Sequence, residues 1–124
     1  MPSGTQRASR LTSVSIRILS RVLIIQRSSE FDAWLDQLAD LHARARIVAR
    51  VRRATLGNFG DCKPVGEGVS EMRVDVGSGY RIYFVRKGIE VYVLLVGGDK
   101  STQKRDIEQA IAMARKLKEQ GYDD

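Results

Sequence analysis

The sequence predicts an α+β fold in which a helical hairpin packs on a small, mostly antiparallel sheet, with elements in the order β-α-α-β-β-β-α. Three observations carry this. Apolar residues from Phe31 to Ala54 recur at helical spacing. Residues 70–96 are rich in Val, Ile, Tyr and Phe and alternate with polar side chains. Glycines cluster at 57–68, 77–79 and 97–98, where those periods start or stop.

The elements follow in order. Val22–Gln26 is a short β-branched run that reads as a buried strand. Ser28 or Ser29 supplies an N-cap for the next segment, and Ser29 with Asp32 makes a weak capping box. Phe31, Trp34, Leu35 and Leu38 then form one apolar stripe, with Asp32, Asp36 and Asp40 off it. A break is expected near Asp40–His42. A second helix is predicted from Ala43 to Leu56, with Ala43, Ile47, Val51 and Ala54 apolar and Arg46, Arg50 and Arg53 forming a basic stripe. Gly57-Asn58 is a suitable stop. Gly57–Gly68, rich in glycine with one proline, reads as a loop. Ser70–Val76 joins Tyr80–Val85 through Gly77-Ser78-Gly79, and Arg86-Lys87-Gly88 turns the chain into Ile89–Val96. Gly97-Gly98-Asp99-Lys100 ends the sheet. Ser101 or Thr102 caps a last helix whose inner face is Ile107, Ala110, Ile111, Ala114 and Leu117. All the helices are expected on one face of the sheet.

The 124 residues, 43% of them hydrophobic, suit one domain with one modest core. His42 and Cys62 are the only histidine and cysteine, too few for a zinc site, so no metal or cofactor is expected. A lone cysteine forms no disulfide within the chain, in keeping with a reducing cytoplasm. No apolar run approaches the roughly 20 residues of a membrane helix, and no membrane partner is expected. The net charge is +6, but Arg7, Arg10, Arg17, Arg21 and Arg27 stand in the first 27 residues with no acid among them. The remaining basic residues nearly balance the 15 acids, so any affinity for nucleic acid must come from local patches. Residues 1–21 fit a basic arm, a targeting peptide or upstream sequence added by an early start codon. A dispensable extension is the expectation, followed by a domain over 22–118 and a tail over 119–124.

Centring the hairpin loop on Ser78 sets Val76 against Tyr80, Val74 against Ile82 and Met72 against Phe84, all on the core face. The other face, away from the helices, then carries Asp75 opposite Arg81 and Arg73 opposite Tyr83. Cutting RNA without a metal requires deprotonating a 2′-hydroxyl, stabilising a phosphorane and protonating the leaving 5′-oxygen. Arginine suits the second task, because its planar fork matches phosphate oxygens. Tyr83, Asp75 or a lysine could move the protons. A pair of catalytic histidines is excluded by composition. Two readings are open at this point. Asp75 and Arg81 could instead be a surface ion pair worth under about 1 kcal/mol. Arg46, Arg50 and Arg53, with Lys63 and Tyr80, could contact RNA or simply face solvent. His42 and Cys62 are expected to take no chemical part.

The segments GNFGDCKPVGEGVSEMRVDVGSGYRIYF and LLVGGDKSTQKRDIEQA resemble the addiction-module killer proteins, a HigB-like subfamily of the RelE/ParE-like toxins. The resemblance runs from about Val22 to Lys118. It implies the α+β fold above, a bacterial cytoplasmic location and a helix-turn-helix antitoxin as partner, with operator DNA reached only through that antitoxin. It further implies ribosome-dependent cleavage of messenger RNA. Arg81, in the GYR motif, would contact the scissile phosphate, with Arg73 on the preceding strand and Lys100 after the last strand assisting. A tyrosine that stacks on the target base in ribosome-dependent relatives is replaced here by Gln103 and Asp106, leaving Tyr83 or Tyr80 as the substitute. The family's strand equivalent to Val22–Gln26 is where its members begin, which is why residues 1–21 read as an extension. The alternatives are a ParE-like gyrase poison and an inert antitoxin-binding protein.

Overall fold

The protein is described here by a computed structural model covering residues 23–121. The expected extension over 1–21 and the last residues of the expected tail lie outside the described residues. Strand β1 is Ile24–Arg27. The Ser28 hydroxyl accepts from the Phe31 amide and donates to the Leu95 carbonyl, so one side chain both starts helix α1 (Ser29–Gln37) and ties it to the sheet. Ser28, and not a box of Ser29 with Asp32, is thus the cap. The break falls at Leu38–Asp40, two residues earlier than the sequence suggests, because the Asp40 carboxylate caps α2 (Leu41–Thr55) through the Ala43 amide. His42 lies in the first turn of that helix, exposed.

Gly57–Gly68 is not all loop. Cys62–Gly66 forms β2, which pairs antiparallel with β3 (Val69–Val74). Gly66, Glu67 and Gly68 all have positive φ and make the turn. Pro64 is tolerated because β2 is an edge strand with no further partner beyond it. Strands β4 (Tyr80–Arg86) and β5 (Val91–Asp99) complete a five-stranded sheet of order β1-β5-β4-β3-β2. Only β1–β5 is parallel. Gly97 and Gly98 lie inside β5, not after it.

The β3–β4 register also differs from expectation. Val74 faces Tyr80, Met72 faces Ile82, Arg73 faces Arg81 and Glu71 faces Tyr83. The pairing is two residues out from the tight loop because Asp75–Gly79 turns as a five-residue loop, with Gly77 and Gly79 at positive φ. A shift of two keeps every side chain on its predicted face but gives each a new neighbour. Asp75 therefore leaves the strand and does not face Arg81.

Helices cover both faces, which corrects the one-sided arrangement. Phe31, Leu35, Ile47 and Ala54 pack with Met72, Val74, Ile82, Phe84 and Leu94 on one side. A 3₁₀ turn (Lys100–Thr102), capped by Asp99, leads into α3 (Gln103–Glu119), whose Ala110 and Ala114 pack with Val69, Tyr83, Val85, Val93 and Leu95 on the other. The runs Ile82–Val85 and Val93–Val96 are apolar without interruption because both of their faces are buried. The glycine pair lets both layers approach β5. A Cβ on Gly97 would enter the Trp34 ring, and one on Gly98 would collide with Asp106 and Thr102.

Candidate active site

The end of the β3–β4 hairpin opens into a cleft of about 250 Å³ lined by Asp61, Arg73, Val74, Asp75, Gly79, Tyr80 and Arg81. Four of the residues singled out in the sequence, Arg73, Asp75, Tyr80 and Arg81, meet there. The two arginines are direct cross-strand neighbours. Like charges so placed repel, and each is met by a carboxylate. Asp61 Oδ2 stands 3.5 Å from Arg73 Nε, and Glu71 Oε2 stands 3.5 Å from Arg81 Nε. Neither Nε makes a hydrogen bond of good geometry, and Glu71 Oε1 also has no hydrogen-bond partner among the described residues. All three such buried side-chain atoms among the described residues thus belong to this one cluster.

Arg73 is fixed through its backbone. Its amide donates to the Asp61 carbonyl at 2.9 Å, and its carbonyl accepts from Arg50 Nη1 at 2.6 Å. Arg50 Nη2 donates to the Phe59 carbonyl at 2.8 Å. The Arg50 guanidinium therefore clamps the 58–61 segment to β3, with Gly60 passing so close that no side chain fits. Phe59 stacks on Phe84, ring centres 5.1 Å apart, and secures that segment to the core.

Tyr83 does not line the cleft. It is fully buried and its hydroxyl donates to Glu71 Oε2 at 2.9 Å. Burial, first, and then the bond to Glu71 hold its pKa far above the ordinary phenol value, so Tyr83 keeps its proton. Tyr80 is half-buried, edge-on to Trp34 with ring centres 6.3 Å apart. Asp75 is exposed in the loop. Lys100 is exposed and begins the 3₁₀ turn; Asp99 beside it faces Tyr80 and Gly98 faces Arg81, so it stands at the same end of the sheet without lining the cleft. Arg46 and Arg53 are exposed on α2, and Lys63 is exposed on β2.

Glu71, Asp61 and Gln103 are the residues the sequence reading missed. Glu71 is fully buried, and Gln103 Nε2 donates to its Oε2 at 2.9 Å from the start of α3. Next to this knot Asp106, also buried, accepts from the Thr102 hydroxyl. Alternation alone put Glu71 on the face of Arg73, but only the true register makes it the neighbour of Tyr83. Cys62 is half-buried, and burial raises its thiol pKa. Among the described residues no three His, Cys, Asp or Glu side chains stand together as a metal site would require. No helix among them is long and apolar enough to cross a membrane.

A mixed sheet covered on both faces, with paired arginines in an open cleft, defines a small α+β protein. The chain belongs to the family described as Phage derived protein Gp49-like (DUF891), which matches residues 33–119 and so runs from the middle of α1 to the end of α3. A protein of Haemophilus influenzae, described as an uncharacterized protein, is 47% identical over 93 residues, covering 75% of this chain and 94% of that one. No solved structure matches the chain.

Proposed function

We propose that this protein is the toxin of a type II toxin–antitoxin pair and cuts messenger RNA on the ribosome. The observation that carries the reading is the convergence of Arg73 and Arg81 in one open cleft with Tyr80 and the carboxylates of Asp61 and Asp75. No hydrogen bond among the described residues engages Nη1 or Nη2 of either arginine. Those nitrogens are free to take the non-bridging oxygens of a phosphate in a fork. In the reaction the 2′-oxygen attacks the adjacent phosphorus and its proton passes to a base, a role given in this scheme to Asp75 or Asp61. The 5′-oxygen leaves with a proton, giving a 2′,3′-cyclic phosphate and a 5′-hydroxyl end. The arginines stabilise the phosphorane, where charge grows. Tyr80 offers a ring face and a hydroxyl at the rim. The ribosome would supply the in-line geometry, a proximity effect. Lys100, Arg46, Arg53 and Lys63 are outer contacts to the RNA in this scheme. The partner is a helix-turn-helix antitoxin, as the motif resemblance implies.

One observation favours a second reading. The carboxylates beside Arg73 and Arg81 nearly cancel their charge, which suits a protein target such as gyrase better than a bare polyanion. The deciding experiment is a two-arm assay with the full chain. One arm maps messenger-RNA 5′ ends with and without ribosomes, and the other follows gyrase supercoiling. Ribosome-dependent cuts that vanish in Arg73→Ala are the expected result; gyrase inhibition with intact RNA would overturn it.

A further inference from the structure

The buried carboxylate under the cleft has a role that a purely structural account leaves open. Glu71 is wholly enclosed between β3, β4 and the start of α3. An apolar residue there, facing a phenylalanine at position 83, would fill the same space without the unpartnered Glu71 Oε1. Buried ion pairs add little stability over well-packed apolar groups, so stability alone is a weak reason for this one. What a carboxylate adds is direction. Its Oε2 is fixed from two sides, by the Tyr83 hydroxyl and the Gln103 amide, each at 2.9 Å. The same oxygen faces Arg81 at Nε, 3.5 Å away, on the edge of the guanidinium that a phosphate fork does not need. Arg81 lines the cleft, its side chain is only 13% exposed, and Glu71 is the carboxylate that meets it.

We propose that Glu71 is a positioning residue. Its carboxylate, fixed by Tyr83 and Gln103, attracts Arg81 as an ion pair on its Nε side, with no hydrogen bond between them, and so aims the two terminal nitrogens into the cleft. Its negative charge also balances Arg81 while the cleft is empty, and a phosphate entering the cleft meets an arginine already oriented. Gln103 makes the first residue of α3 part of that support, so the last helix is coupled to the arginine without touching substrate. This inference rests on the RNA-cleavage reading for its kinetic consequence, though not for its geometry.

The test compares the full chain with Glu71→Gln, which keeps the shape and removes the charge. The Arg81 Nε–H signal is followed by ¹⁵N NMR, assigned by its loss in Arg81→Lys, with the Arg50 signal as a control for the fold. In the wild type Arg81 Nε–H should exchange slowly with solvent; in Glu71→Gln it should exchange about tenfold faster while Arg50 is unmoved. Cleavage of ribosome-bound RNA should fall in kcat by about 100-fold, the effect of misplacing a reacting group by an ångström, with the half-saturating ribosome concentration unchanged. Should the wild type cut no RNA, the functional reading fails, and the NMR comparison alone decides the role of Glu71. An Arg81 signal alike in both proteins overturns the proposal. If Glu71→Gln does not fold, the swap Glu71→Gln/Gln103→Glu decides, because it returns a carboxylate to the same knot from α3. A swapped protein with slow Arg81 exchange and part of the rate restored supports the proposal. A folded swap with fast exchange overturns it.

Discussion

Truncating Arg81 leaves Glu71 in the interior with no cation beside it, so the substitution cannot be a simple surface change. Loss of one partner from a buried pair costs on the order of 3 kcal/mol. Arg81→Ala should therefore lose toxicity and lower the urea midpoint together. Arg81→Ala/Glu71→Gln should recover most of the stability and none of the toxicity; a double variant as unstable as the single one would place the stabilising role of Arg81 elsewhere. Tyr83 gives a second expectation, in alkali. Its folded pKa is raised by burial and by Glu71, so the folded protein holds a proton that the unfolded chain releases above about pH 10. Stability is then fully present below that value and falls as pH rises through the alkaline range. Denaturant titrations at pH 8 and pH 11 should show a larger loss in the wild type than in Tyr83→Phe; equal losses would mean that Tyr83 is not protected. Arg73 and Arg81 were legible in the sequence because alternation and the GYR motif place both on one strand face. Glu71 was not, because its neighbour depends on a register that a five-residue loop shifts by two.

The elements themselves were read from period and punctuation, and the misses have local causes. Strand β2 carries Pro64 and ends in glycine, two features that normally argue against a strand and are permitted here by its edge position. The side on which α3 packs was written in the unbroken apolar runs of β4 and β5, since a strand with one wet face alternates. The glycine pair in β5 read as the end of the sheet when it is the point of closest approach for two layers. Gly97→Ala should lower stability by about 3 kcal/mol through overpacking against Trp34. In a Trp34→Leu background the same change should cost markedly less, as a double-mutant cycle by urea denaturation would show. Additive effects would remove the contact as the cause. Asp99→Ala should weaken the entry to α3 by about 1 kcal/mol, the usual worth of a cap, seen as faster amide exchange in the turn Lys100–Thr102.

At the scale of the molecule, the order of strands in space differs from their order in the chain. β2, β3, β4 and β5 are laid down in sequence by successive antiparallel pairings, but β1, first of the described strands in the chain, joins last, beside β5. Ile24 waits for Val91, and its amide bonds to the Glu90 carbonyl across that same gap. Phe31 and Leu35 belong to the same delay, since α1 rests on β5 and the Ser28 hydroxyl reaches Leu95. Contacts of such long sequence separation close a large loop before they reward it, which slows folding. During synthesis β1 and α1, which rest on β5, have no strand to settle on until that last strand leaves the ribosome. A nascent chain ending before Glu90 should be protease-sensitive throughout, and one extended past Glu119 resistant; early resistance in the shorter chain would show that the helices fold without β5. Translation thus carries a built-in interval in which the polypeptide exists but its arginine cleft has no finished support.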